Sequence, residues 1–159
     1  MRHPNKIQFE GCLAVVDAPS TTAPFGARGH RILLTRRAAK AALPTLTGMG
    51  VCLGDGPRLG SGHQVEAKYG VIERAWLRGD EIRVAGYLFA RDCSSVVKAI
   101  QAVADPWGMS FETVDVRVAN LNAEVWRITS TTFTGAAVTR APAYARTWFR
   151  FVEDAFSDA

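Results

Sequence analysis

Apolar and polar positions alternate along much of this chain, and a period of two predicts strands. Between Lys6 and Val16 the positions Ile7, Phe9, Leu13 and Val15 read as a strand entering a core. Asp17-Ala18-Pro19-Ser20 and the Thr/Ala/Pro/Gly stretch to Gly29 form a long loop. Arg31 to Leu34 is a short apolar strand, and Thr35 can cap a helix from Arg36 to Leu43 that Pro44 ends. Gly48 to Gly62 holds six glycines and one proline, a loop with a single short strand at Val51-Cys52-Leu53. Tyr69–Leu77 and Glu81–Phe89 flank Arg78-Gly79-Asp80, which predicts a β-hairpin. Asp92 then caps a helix with Val96, Val97, Ile100 and Val103 on one face, ended by Asp105-Pro106.

From Met109 to Val118 the alternation puts Met109, Phe111, Thr113, Asp115 and Arg117 on one side and Ser110, Glu112, Val114, Val116 and Val118 on the other. Asn120-Leu121-Asn122 turns, and Glu124–Ser130 and Phe133–Thr139 read as two further strands. In the tail, Tyr144, Trp148, Phe151, Val152 and Ala155 have helical spacing. The sum is a mostly β domain with a few helices (α+β), its sheet mainly antiparallel, nearer a barrel or sandwich than a βαβ fold.

Composition narrows the class without changing this picture. The 159 residues are read as a single domain, 1–159, and 48% are hydrophobic. A domain of this size buries roughly 68–70% of its unfolded surface, so it needs no disulfide or metal staple. The cysteines Cys12, Cys52 and Cys93 are odd in number and lack metal-ligand spacing. No signal peptide is read at the start, which makes them reduced thiols in a cytosolic setting. No apolar run approaches the roughly 20 residues needed to span a bilayer, so no membrane partner is expected. The net charge of +4 is spread along the chain, with Arg36-Arg37 the one basic doublet. A solvated basic surface accounts for it; no specific nucleic-acid footprint is read, and an acidic protein partner stays open.

Chemistry-bearing residues are few. A serine hydroxyl needs a base, and imidazole is the usual one near neutral pH. The histidines are His3 near the start, His30 beside Gly29, and His63 at a loop-to-strand junction after Gly62. From the residues alone, each of them is more often a surface or structural residue than a catalytic one. Ser110 follows Gly108-Met109, where glycine allows a close backbone approach. The segment is not a Gly-x-Ser-x-Gly elbow, because Glu112 holds the last position, and an α/β-hydrolase is disfavoured. His-x-His, His-Glu-x-x-His, paired Cys-x-x-Cys and P-loop patterns do not occur, so no metal or cofactor is expected. Asp80, Asp92 and Asp105 read as turn and cap residues, and Trp76, Trp107, Trp126 and Trp148 as core.

The order of these pieces resembles the phage prohead (capsid maturation) serine proteases, which are similar in fold to herpesvirus assemblin. The resemblance runs over residues 7–145 and rests on Phe9-Glu10-Gly11, the Leu34-Thr35 step, Leu46 to Val51, His63 with a strand after it, Val84-Ala85-Gly86-Tyr87-Leu88, and Gly108-Met109-Ser110-Phe111. It implies an antiparallel β-barrel of the herpesvirus-protease type flanked by helices. It implies His63 as general base, Ser110 as nucleophile, and Arg140 as a helper of the oxyanion. Related proteases often carry a carboxylate in the strand after the nucleophile, in a glutamate-valine-serine segment before Pro-Ala. Here that strand reads Thr134-Gly135-Ala136-Ala137-Val138, with no acid. The third group is therefore open: Glu112 from the nucleophile's own strand face, Glu66 or Asp115 from elsewhere, or a Ser-His dyad with Thr134 or a backbone carbonyl orienting His63.

The substrates implied are the scaffold, the major capsid protein, the portal and the protease itself, cut inside the procapsid in the host bacterial cytoplasm, with no secretion. A homo-oligomer is also implied by the dimerising herpesvirus enzymes. Two other readings compete: a non-catalytic capsid or virion protein on the same fold, and a small β-barrel binding module. The first is favoured by the missing acid, and the second requires His63 and Ser110 to lie apart.

Overall fold

A computed structural model describes residues 3–54, 67–103 and 106–152. In chain order the elements are β1 (Ile7–Val15), β2 (Arg31–Leu34), α1 (Arg36–Ala42) with a 3₁₀ turn at Leu43–Thr45, β3 (Gly50–Leu53), β4 (Gly70–Arg78), β5 (Glu81–Leu88), α2 (Ser94–Ala102), β6 (Gly108–Val118), β7 (Val125–Thr139) and β8 (Trp148–Phe151). The strands form one eight-stranded sheet in the order β2-β7-β3-β4-β5-β1-β8, with β6 on the other edge of β7.

Local chemistry explains the best-defined pieces. Thr35 keeps an extended backbone and accepts the Ala38 N–H at 3.1 Å, which starts α1 as expected. The β4–β5 hairpin closes with Arg78 opposite Glu81, and Gly79 supplies the positive φ of 62° that a two-residue loop requires. Arg36 donates to the Gly79 carbonyl at 2.6 Å and Arg146 clamps the Asp80 carboxylate with two bonds, so the turn is fixed from two sides. Asp92 does not cap α2. Cys93 stands at the N-cap without a side-chain bond, and the Asp92 carboxylate accepts from Asn5 instead.

The long β7 organises the sheet. Two separate strands are expected from the sequence, but the backbone runs unbroken through Thr131-Thr132, because β-branched polar residues suit an extended chain as well as apolar ones do. β2 pairs parallel with its first part (Arg31 opposite Val125) and β3 parallel with its last part (Val51 opposite Ala136). Between these two strands β7 bonds to the α1 region. The Thr45 hydroxyl accepts the Phe133 N–H at 2.9 Å, and the Ile128 carbonyl accepts the Thr35 N–H at 3.3 Å. The mainly antiparallel sheet thus carries two parallel pairs.

The sheet is open, not the closed antiparallel barrel expected. Its ends approach, with Phe149 N–H donating to the Trp107 carbonyl at 3.0 Å, but no ladder joins β8 to β6. The Met109 thioether lies over Gly11 of β1 and fills the seam with side-chain volume instead. The expected tail helix is also overturned over Trp148–Phe151. This segment is β8, antiparallel to β1, with Phe149 packed on Phe9 at 5.1 Å between ring centroids. Aromatics three or four apart imitate a helix, but a free edge of β1 offers a ladder plus burial, and that combination wins.

Inside the curl, Phe9, Leu13, Leu34, Leu46, Ile72, Ile82, Leu88, Met109 and Phe133 are fully buried. No helix among the described residues is long and apolar enough to cross a membrane.

Candidate active site

Strand register puts the candidate nucleophile on a face built almost entirely of small residues. β6 pairs with β7 so that Gly108 lies opposite Thr139, Ser110 opposite Ala137 and Glu112 opposite Gly135. β3 extends the same rows, Cys52 beside Ala137, with Gly50 and Gly54 on either side. Paired residues share a face, so three rows cross three strands: Gly50, Gly135, Glu112; Cys52, Ala137, Ser110; Gly54, Thr139, Gly108. Glu112 is the one large side chain among the nine. The opposite face points into the core with Val51, Ala136, Val138 and Met109 buried, and with Phe111 edge-on to Phe133. The alternation read from the sequence therefore holds from Met109 to Glu112. Beyond it, bulges interrupt the register, and Asp115 takes a φ of 54°.

Several of these small residues are required by what lies on them. A side-chain carbon at Gly108 would meet Pro142 at 2.6 Å and the Thr147 hydroxyl at 2.8 Å. That hydroxyl accepts the Met109 N–H at 3.1 Å and fixes the strand one residue before Ser110. A carbon at Gly135 would come 2.9 Å from a Glu112 carboxylate oxygen. The carboxylate therefore lies over the bare backbone of the neighbouring strand.

Among the described residues, Cys52 and Lys68 also hold Glu112. Its Oε1 accepts from the Cys52 thiol at 2.9 Å, and Lys68 Nζ stands 3.3 Å from Oε2. The Glu112 side chain is 10% exposed. Burial first, then the bond to Glu112, pushes the Cys52 thiol up from 9.0 to about 12. At neutral pH it is a protonated donor, so Cys52 does not serve as a thiolate nucleophile. Neither Lys68 nor the Gly50–Gly135 floor stands out in the sequence as functional. The legible signal is the recurrence of a small residue at every second position in 50–54 and again in 135–139.

The other predicted residues fall as follows. Ser110 is half-buried, on the same strand face as Glu112. Arg140 follows the last residue of β7 and is exposed, its guanidinium 5.9 Å from the Trp107 ring centre. That places it at the Gly108 end of β6, where Ser110 also lies. Asp115 is exposed on the bulged part of β6, and Thr134 is the extra residue of the bulge, between Gly135 opposite Glu112 and Phe133 opposite Thr113. His63 and Glu66 lie outside the described residues. His30 stacks on Trp126 at 4.5 Å with its Nδ1 against the Glu124 carbonyl, at the opposite end of β7 from Ala137. His3 takes the Asn5 N–H on Nδ1, ahead of β1. Both are structural histidines. Among the described residues no group of three His, Cys, Asp or Glu side chains could hold a metal ion.

No family model matches the chain, and no curated protein matches it. Solved structures do. KSHV protease, in complex with a hexapeptide phosphonate inhibitor, superposes with a TM-score of 0.57 at 10% identity, over 94% of this chain and 66% of that one. The bacteriophage T4 capsid assembly protease gp21 superposes with a TM-score of 0.51 at 13% identity, over 85% of this chain and 98% of that one. The fold is shared with two virus proteases. At such identities the likeness is one of architecture, and the roles of Ser110, Glu112 and Arg140 rest on their own geometry.

Proposed function

We propose that this protein is a serine endopeptidase of phage capsid maturation. The observation that carries the reading is the placement of Ser110 on a strand face stripped of bulk, with Glu112 beside it, in a fold shared with KSHV protease and the T4 capsid assembly protease. Ser110 is the half-buried end of a row whose other members, Ala137 and Cys52, are buried, so it is the member of that row that a peptide would meet. A buried carboxylate two residues away on the same face is the group that orients an imidazole in Ser-His-acid chemistry.

In this reading Ser110 Oγ attacks the scissile carbonyl while His63 takes its proton. The C–N bond then breaks, with the proton passing to the leaving amine, and water resolves the acyl-enzyme by the reverse use of the same base. Glu112 is the third group. It lies on the nucleophile's own strand, over Gly135, and so occupies the space that a carboxylate-bearing residue on β7 would otherwise enter. Asp115 is a poorer candidate because the bulge turns its backbone out of register with Ser110. Backbone N–H groups, with Arg140 beside Trp107, stabilise the oxyanion; one such donor is worth about 2.7–4 kcal/mol. The proposed substrates are the major capsid protein, scaffold and portal, met inside the procapsid in the host cytoplasm, with a homo-oligomer as the assembled form.

The test is co-expression with a phage major capsid protein as the proposed substrate, read by intact mass, for wild type and Ser110→Ala. Truncation of the capsid protein or of this chain with wild type alone supports the reading. Truncation by both variants removes Ser110 from the mechanism. An intact capsid protein with this chain bound to the shell replaces the enzyme by a structural protein on the same fold.

A further inference from the structure

The ion pair between Lys68 and Glu112 is built into the sheet rather than laid on its surface. The Lys68 stem runs over Gly50, where an added side-chain carbon would lie 2.6 Å from Cδ and 2.8 Å from Cγ. Its ammonium faces both carboxylate oxygens, at 3.5 and 3.3 Å. The carboxylate in turn lies over Gly135, whose own added carbon would also meet the Gly50 carbonyl at 3.1 Å. Two glycines on adjacent strands thus form a trough, and the two charged side chains enter it from opposite sides. Lys68 is one-third exposed and Glu112 one-tenth, so water reaches the ammonium more than the acid.

A glutamate has three rotatable side-chain bonds, and a buried carboxylate without a cation is drawn toward solvent. The thiol of Cys52 is a weak donor. The lysine supplies the charge that keeps the carboxylate down. From this geometry we infer that Lys68 is a positioning residue: it holds the Glu112 carboxylate on the Ser110 face of β6 and acts on the reaction only through Glu112. The inference rests on the reading of Ser110 and Glu112 as catalytic partners proposed above.

The experiment measures the rate at which a fluorophosphonate probe labels Ser110 in the full chain, with peptide mapping to locate the label and thermal melting to confirm folding. Lys68→Met is expected to slow labelling roughly tenfold, the size of a coupling between contacting residues. Lys68→Arg is expected to return the rate to within about threefold of wild type, since the charge is kept. On a Glu112→Gln background, Lys68→Met is expected to add nothing, because the group it positions is already neutral. A purely structural lysine would give additive losses in that pair and no recovery with arginine. Gly50→Ala gives an independent variant that displaces the Lys68 stem and keeps its charge; it is expected to slow labelling as well. Wild-type rates in Lys68→Met or Gly50→Ala, or additive losses in the double variant, overturn the inference and leave Ser110 as nucleophile. A wild-type chain whose label falls on another residue, or on none, overturns the protease reading itself and this inference with it.

Discussion

The two faces of the β3–β7–β6 ribbon share one backbone and do opposite work. On the core face Val51, Val138, Met109, Phe111 and Phe133 fill space and hold the sheet together. On the other face Gly50, Gly108 and Gly135 make room for Lys68, for Pro142 with Thr147, and for Glu112, while Ala137 and Cys52 are buried and Ser110 is half-buried. Successive side chains on a strand alternate between faces, so neighbours in sequence, such as Met109 and Ser110, belong to different tasks. Stability sits on one side and the proposed reactivity on the other.

That division can be broken in stages. The largest effect is expected from Ser110→Ala, which should reduce cleavage and probe labelling by at least about a thousandfold and leave stability within about 0.5 kcal/mol. Activity assays and chemical denaturation on the same preparation check both halves. A stability loss comparable to that of a core truncation would show that the faces are not separable. Met109→Ala is expected to do the reverse. It should destabilise by about 2–5 kcal/mol, since Met109 is fully buried in the seam over Gly11. Labelling per folded molecule should change far less than with Ser110→Ala.

Gly135→Val sharpens the comparison on the small-residue face. Its side chain would enter the space held by the Glu112 carboxylate and the Gly50 carbonyl. Overpacking of this kind costs about 1–3 kcal/mol, and labelling of Ser110 should fall at least tenfold beyond what unfolding accounts for. Retained rates would remove Glu112 from the site.

The smallest effect is a pH dependence. The Cys52 thiol is raised from 9.0 to about 12, by burial first and by Glu112 second. A group whose pKa is raised by folding binds its proton more tightly in the native state. Its contribution is full below pH 9 and is lost as pH climbs from 9 to 12. Melting temperatures of wild type should therefore fall across that interval, and those of Cys52→Ala should fall less steeply. Cys12, raised to about 11, and Tyr144, raised to about 12, add to this alkaline sensitivity, as does Cys93, raised by burial.

Much of the fold was readable because its signals are local. Thr35 caps a helix, Gly79 turns a hairpin, and Met109 to Glu112 alternate as written. The misses came from competition at a distance. Tyr144, Trp148 and Phe151 carry helical spacing, but the open edge of β1 turns Trp148–Phe151 into β8. The sheet stays open, with no ladder between β8 and β6 and with the Met109 thioether packed on Gly11 of β1. At the site, Ser110 and Glu112 were visible as one face of one strand. The trough under Glu112 was not, since it depends on the register of β3 against β7, far apart in the chain. Lys68 becomes meaningful only when its stem is seen lying on Gly50.

The length of β7 has a consequence for timing. The face around Ser110 is assembled from β3 and the later, consecutive strands β6 and β7, so β3 waits across a long stretch of chain for its partner β7, which comes last of the three. Pairings across such separations form late and slowly. A nascent chain that has exposed Ser110 but not yet β7 carries the serine without the ground it stands on. Under the proposed function, synthesis order would leave the growing polypeptide inert until β7 has arrived.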